Sequence, residues 1–246
     1  LLVAYLDNYF YPEALEILSR ELQKQGYHVL MFLASQKDGN LDQVVQEILD
    51  YQVDGIVTAS VSISSDLARQ CREADIPVVM FNRSDDSHIS SSVTSDNHQG
   101  GYQAAEYFIT AGHQKIGYIA GWHGASTQRD REAGFRDGLA AHGRDISHYA
   151  VGNYDLEQAK QAAHSLFGGD DRPDAVFVAN DHMAFAVMDV IRHHYGLHIP
   201  EDVAIIGYDD VPPASWPAYN LTTLRQPAHH MVEATIATLM RQIEQT

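Results

Sequence analysis

The chain has 246 residues, 45% of them hydrophobic and 20% charged, enough to bury the core of one large or two medium domains. Its 33 acidic residues against 16 Lys and Arg give a formal charge of −17, which excludes a phosphate-gripping surface, so these residues alone are a poor nucleic-acid binder. No run approaches the roughly 18 to 20 apolar residues of a membrane span, and no basic-then-apolar leader opens the chain, so a cytoplasmic location and no membrane partner are expected.

From the start, short apolar runs alternate with longer amphipathic segments. Leu1 to Leu6 reads as a strand, and Leu15, Leu18 and Leu22 mark one face of a helix that Gly26 closes as a left-handed cap. A strand at His28 to Leu33, a helix at Leu41 to Tyr51, a strand at Gly55 to Thr58, a helix at Asp66 to Ala74 and a strand at Pro77 to Phe81 complete a first series. A second series opens with a strand at Ser92 to Thr94 and a helix at Gln99 to Thr110, followed by a strand at Ile116 to Ala120 and a helix at Gln128 to His142. Helix Leu156 to Phe167, strand Ala175 to Val178, helix His182 to Tyr195 and strand Val203 to Ile206 follow, and Val232, Ile236, Leu239 and Ile243 stripe a last helix. This rhythm predicts an α/β fold of two doubly wound lobes, residues 1–95 plus 226–246 and residues 96–225, joined by strand crossings, since no low-complexity linker separates them.

Ligands of open α/β sheets gather beyond the carboxyl ends of the strands. There the sequence places Asn8, Tyr9, Phe10 and Tyr11, then Asn82 and Arg83, Asp96 and Asn97, Trp122, Asn180 and Asp181, and Tyr208, Asp209 and Asp210. Amides, carboxylates, a few cations and aromatic faces suit a small polar molecule. Cys71 is the single cysteine; it allows no internal disulfide and reads as a helix-surface thiol. The 14 histidines stand in no metal-ligand spacing, so no metal is expected. No GxSxG elbow, GxGxxG, P-loop or cysteine nucleophile is present, which argues against an enzyme and against a cofactor.

Four stretches, SVTSDNHQGGYQAAEYFITAGHQKIGYIAG (92–121), STQRDREAGF (126–135), VFVANDHMAFAVMDVIRHHYGLHIPEDVAIIGYDD (176–210) and LTTLRQP (221–227), resemble the LacI/GalR family of transcription regulators in order and spacing. The resemblance implies two Rossmann-like lobes of the periplasmic-binding-protein-like type I fold that close on an effector in the cleft between them. It implies a repressor core that senses a small effector, a sugar before a nucleobase, and that works as a homodimer on operator DNA through a helix-turn-helix headpiece outside these residues. A transport receptor for sugars shares the fold and is the alternative.

By the same resemblance Asn82, Arg131, Asn180 and Asp209 fall at effector-contacting positions. Arg131 could instead pair with Asp130 or Glu132 on a solvated helix. One of Asn180 and Asp181 is expected to cap the following helix, and Asn180 is assigned to the ligand with Asp181 structural. Tyr9, Phe10 and Trp122 are either packing aromatics or flat faces for a sugar ring. Val61, Ile63 and Leu67, apolar residues in otherwise polar stretches, suggest a dimer surface. Tyr219-Asn220 stands where the family carries Pro-Pro, after Pro212-Pro213, so that loop is expected to be reshaped.

Overall fold

The computed structural model describes residues 1–33, 41–61, 63–84 and 89–245. The chain divides into two units, Leu1–Ser95 with Pro227–Thr246, and Asp96–Gln226. In the first, β1 (Leu2–Val3), α1 (Phe10–Lys24), β2 (Phe32–Leu33), α2 (Leu41–Asp50), β3 (Ile56–Ala59), α3 (Ser65–Glu73), β4 (Val78–Phe81) and β5 (Ser91–Val93) alternate. The five strands form one parallel sheet in the order β2-β1-β3-β4-β5. Every residue of β3 and β4 is buried, the pattern of a parallel strand covered on both faces. α1 turns Ala14, Leu15, Leu18 and Leu22 inward. It stops at Gly26, whose φ of +88° lets the Tyr27 and Gly26 N–H groups close on the Leu22 and Gln23 carbonyls.

The second unit runs α4 (Asn97–Thr110), β6 (Ile116–Ala120), α5 (Ser126–Ala140), β7 (His148–Val151), α6 (Leu156–Phe167), β8 (Ala175–Val178), α7 (Asp181–His193), β9 (Ala204–Asp209), a 3-10 turn at Pro212–Ser215 and β10 (Thr222–Arg225). Its parallel sheet has the order β10-β9-β8-β6-β7. Counted along the chain, both sheets therefore run second, first, third, fourth, fifth. Such a sheet opens a crevice where the order reverses, here between β1 and β3 and between β6 and β8. The chain then returns to the first unit as α8 (Ala228–Ile243), which packs on α1, β4 and β5.

Several expectations are corrected. The strand near Ser92 opens no second series: β5 pairs with β4 and is the last strand of the first sheet. β7 and β10 are strands that the sequence does not announce, because both carry half-buried or exposed residues in place of an apolar run. Val61, Ile63 and Leu67 are no surface patch but core, packed with Val45, Ile48, Ile56 and Cys71. Cys71 is thus buried, and burial pushes its thiol above the ordinary value. No described helix is long and apolar enough to cross a membrane.

α4 and α5 approach unusually closely. A methyl group at Gly134 would fall on the His98 carbonyl oxygen, one at Gly101 on the Arg131 carbonyl oxygen, and one at Gly138 within 2.7 Å of the Ala105 Cβ. Gly in a free helix gives up about 1 kcal/mol relative to Ala. Here the sign reverses, because backbone stands where the Cβ would go. Gly134→Ala is expected to lower unfolding free energy by about 2 kcal/mol in urea titration, while Gly169→Ala, which meets nothing within 4 Å, should stay within about 0.5 kcal/mol.

Candidate functional site

In the second unit the carboxyl end of the sheet is organised around Arg131. The second turn of α5 carries this side chain inward, where it is 2% exposed, and it does not pair with Asp130 or Glu132. Its Nε donates to Asn97 Oδ1 at 2.8 Å, at the first residue of α4, and its Nη1 donates to the Ala179 carbonyl at 2.6 Å, just past β8. Its Nη2 stands 3.8 Å from Asp209 Oδ1, and the guanidinium carbon lies 3.7 Å above the Tyr208 ring. Gly100 makes room for that ring, since a Cβ there would stand 2.6 Å from it. Burial alone would lower the pKa of Arg131; Tyr154, Asp209 and Tyr208 more than offset it, so the guanidinium stays charged.

Asp209 ends β9 with φ +124° and Asp210 follows at +58°, both in the left-handed region that side chains rarely adopt. Asp209 Oδ1 accepts from Gln226 Nε2 at 2.7 Å, one residue past β10. Asn180 is the N-cap of α7: its Oδ1 accepts from the Met183 N–H at 3.0 Å. Of the pair it is therefore Asn180, the residue assigned to the ligand, that caps the helix, spending its oxygen there and keeping Nδ2. Asp181 is fully buried, with Oδ1 accepting from the Thr223 hydroxyl at 2.6 Å and Oδ2 from the Val211 N–H at 3.0 Å. Burial, and after it the charge of Asp209, push its carboxyl well above the ordinary carboxylate range.

Trp122 follows β6 and lies over Gly124 with 41% of its surface exposed. Tyr154, which the sequence did not single out, follows β7 on a left-handed pair, Asn153 and Tyr154, and sets its ring over Gly121. Gln226 was missed as a partner of the site as well, whereas Asn97 stood among the strand-end residues. Only the register Arg225↔Asp209 of β10 on β9 brings Gln226 to Asp209, and β10 has no apolar signature. The loop at Pro212 to Asn220 is held by Arg192, which donates to the Ala218 and Tyr219 carbonyls, and by the Tyr219 ring 4.4 Å from Phe185.

In the first unit the strand ends gather a smaller set. Asn8 is buried and accepts the Phe10 N–H on Oδ1 at 3.1 Å, a turn that starts α1. Phe10 is buried and stacked on Phe81, a packing aromatic, whereas Tyr9 is half exposed. Asn82, just past β4, takes φ +56° and donates from Nδ2 to the Tyr11 hydroxyl at 3.1 Å. Its Oδ1 is buried without a hydrogen-bond partner among the described residues. Arg83 beside it is buried and donates to the Asn82 carbonyl. Among the described residues no group of three His, Cys, Asp or Glu could hold a metal.

Two parallel sheets of one order, with polar side chains at their carboxyl ends, define a periplasmic-binding-type fold. A family model for the periplasmic binding protein-like domain matches residues 105–246. The HTH-type transcriptional repressor PurR of Photobacterium profundum is 29% identical over 250 residues, 99% of this chain and 74% of that protein. The probable HTH-type transcriptional repressor ExuR of Bacillus subtilis is 36% identical over 177 residues, 71% of this chain and 53% of its own length. Among solved structures, a complex of the transcriptional regulator CelR with cellobiose is 26% identical, with a TM-score of 0.90 over 99% of this chain and 77% of that one. The chain belongs to the periplasmic binding protein-like family, as the effector-binding core of a LacI-family regulator.

Because the Asp181 carboxyl titrates higher folded than unfolded, folding takes up a proton there. Its share of stability is full below the ordinary value of 3.8 and is lost as pH rises through the folded value. Unfolding free energies measured from pH 4 upward should therefore fall more steeply for the natural chain than for Asp181→Asn; parallel profiles would contradict the shift.

Proposed function

We propose that this chain senses a small hydroxyl-rich effector, a sugar, for a repressor of transcription. The observation that carries this reading is Arg131, a buried charged fork held beside the Asp209 carboxylate and the Asn180 amide at the carboxyl ends of the second sheet. Vicinal hydroxyls need a donor fork and an acceptor at fixed spacing, and these groups supply both. The bound cellobiose of the CelR complex supports the sugar class. The contacts we assign are Arg131, Asn180 and Asp209, with Trp122 as a flat face, and, at the strand ends of the first unit, Asn8, Tyr9 and Asn82. Phe10 backs them as packing. The relatives named above are repressors, which favours a regulator over a transport receptor and over an enzyme. A reader of operator DNA works in the cytoplasm, where we place this protein.

Thermal denaturation with cellobiose, ribose, sucrose, adenine and guanine in turn tests the effector class. A sugar at about a hundred times its Kd should raise Tm by roughly 5 to 10 °C. Asp209→Ala, folded, should bind the same sugar roughly 10- to 150-fold more weakly by calorimetry, the loss of one buried charge-assisted hydrogen bond. Shifts with the purines alone would overturn the sugar reading, and unchanged affinity in Asp209→Ala would remove that residue from the site.

The operator contact and a two-fold dimer are also part of this reading, since palindromic operators need two-fold partners. With a charge of −17 the chain by itself should leave operator DNA free. Sedimentation of the chain with a duplex of its own upstream region is expected to give dimer mass and no co-sedimenting DNA; DNA carried down by the chain alone would contradict the assignment.

A further inference from the structure

Asp181 touches the strand-end corner in three ways. Its Oδ2 accepts the Val211 N–H directly, at 3.0 Å. Its Oδ1 accepts the Thr223 hydroxyl at 2.6 Å, and that hydroxyl oxygen in turn accepts the Asp210 N–H at 3.3 Å. The carboxylate also lies flat against Gly207, where any Cβ would fall on its Oδ1, so β9 carries a glycine at the one place where a side chain would expel it. The two backbone amides that follow Asp209 are thus both fixed, one by Asp181 and one through its partner Thr223. Those amides belong to a corner whose first two residues hold φ of +124° and +58°. A backbone in that region persists only when its surroundings over-determine it.

We propose that Asp181 is the positioning residue of the effector site: by holding the 209–211 corner it sets the direction in which Asp209 presents its carboxylate. This rests on the reading of Asp209 as an effector contact. Asp181 reaches no solvent, so its influence passes through the corner. The charged groups that act on it are Asp209, which ends β9, and Asp210, which follows; Arg225 on β10 pairs with Asp210 at 2.6 Å, and Arg131 on α5 stands 3.8 Å from Asp209. The buried acid on α7 and the hydroxyl on β10 form one clamp, and removing either half should free the same two amides.

The test compares the natural chain with Asp181→Asn, Thr223→Val and Thr223→Ser, the last keeping the hydroxyl. In the ligand-free protein, amide exchange at Asp210 and Val211 is expected to quicken at least about tenfold in Thr223→Val and Asp181→Asn and to stay slow in Thr223→Ser, while the amides of β8 keep their protection. Affinity for cellobiose, or for ribose or sucrose if one of these stabilises the natural chain, should fall at least about tenfold in Asp181→Asn and Thr223→Val and recover in Thr223→Ser. Unchanged exchange at both amides, or full affinity despite freed amides, would each overturn the proposal. If none of the three sugars binds the natural chain, the sugar reading fails, and the exchange arm still decides whether Asp181 holds the corner.

Discussion

A guanidinium taken out of water must have its N–H groups met and its charge matched, or the fold that buries it does not persist. Arg131 imposes that demand on the second unit, and four groups from three segments answer it: Asn97 opening α4, the Ala179 carbonyl past β8, and on β9 the Tyr208 face and the Asp209 carboxylate. Each answer brings its own constraint. Tyr208 requires Gly100, Asp209 requires a left-handed corner, and that corner requires amides pinned from outside. The site is therefore a set of mutual obligations within one unit, and a polar molecule arriving there meets groups whose directions are already settled. Preorganised groups of this kind lose little freedom on binding, which is the main way a small site gains affinity.

The close passage of α4 over α5 belongs to the same logic. Arg131 lies on α5 at the level where its own carbonyl faces Gly101, so the depth to which the guanidinium sinks is set by how near the two helix backbones come. Larger residues at Gly101 or Gly134 would lift α5 and withdraw the fork from Asn97. Small residues in these helices thus serve electrostatics as much as packing, an instance of sub-ångström spacing deciding whether a charge-assisted hydrogen bond forms.

Much of the architecture is legible in the sequence because its strongest signals are local. The buried runs Ile116–Ala120 and Ala175–Val178 can be little else than covered parallel strands, and Gly26 marks the end of α1 by the one conformation it permits. Edge strands are another matter: HYAV of β7 and TTLR of β10 are half wet, and only their pairing partners make them strands. Missing β10 hides Gln226 and Thr223, since both act across the sheet on residues of β9 and α7 far away in sequence. The choice between Asn180 and Asp181 could not be made from composition, as either side chain caps a helix; what decides it is the Thr223 hydroxyl waiting for Asp181, a tertiary fact. Val61, Ile63 and Leu67 mislead for a related reason, because polar neighbours in a loop say nothing of whether the loop folds back over a core.

The return of α8 to the first unit bears on how the chain folds as it leaves the ribosome. The second unit is one uninterrupted stretch, Asp96–Gln226, and all of its strands have emerged before α8 exists. The first unit begins earlier and finishes later: Leu239 and Ile243 close over Gly55, and α8 covers β4 and β5, so its sheet waits half-clothed while the whole of the second unit is synthesised. At ordinary elongation rates that interval is on the order of ten seconds, long against the collapse of a small domain. Of the two units the one begun earlier is the one completed later, and through that interval the apolar surface of β4 that α8 will cover is what a nascent-chain chaperone would find.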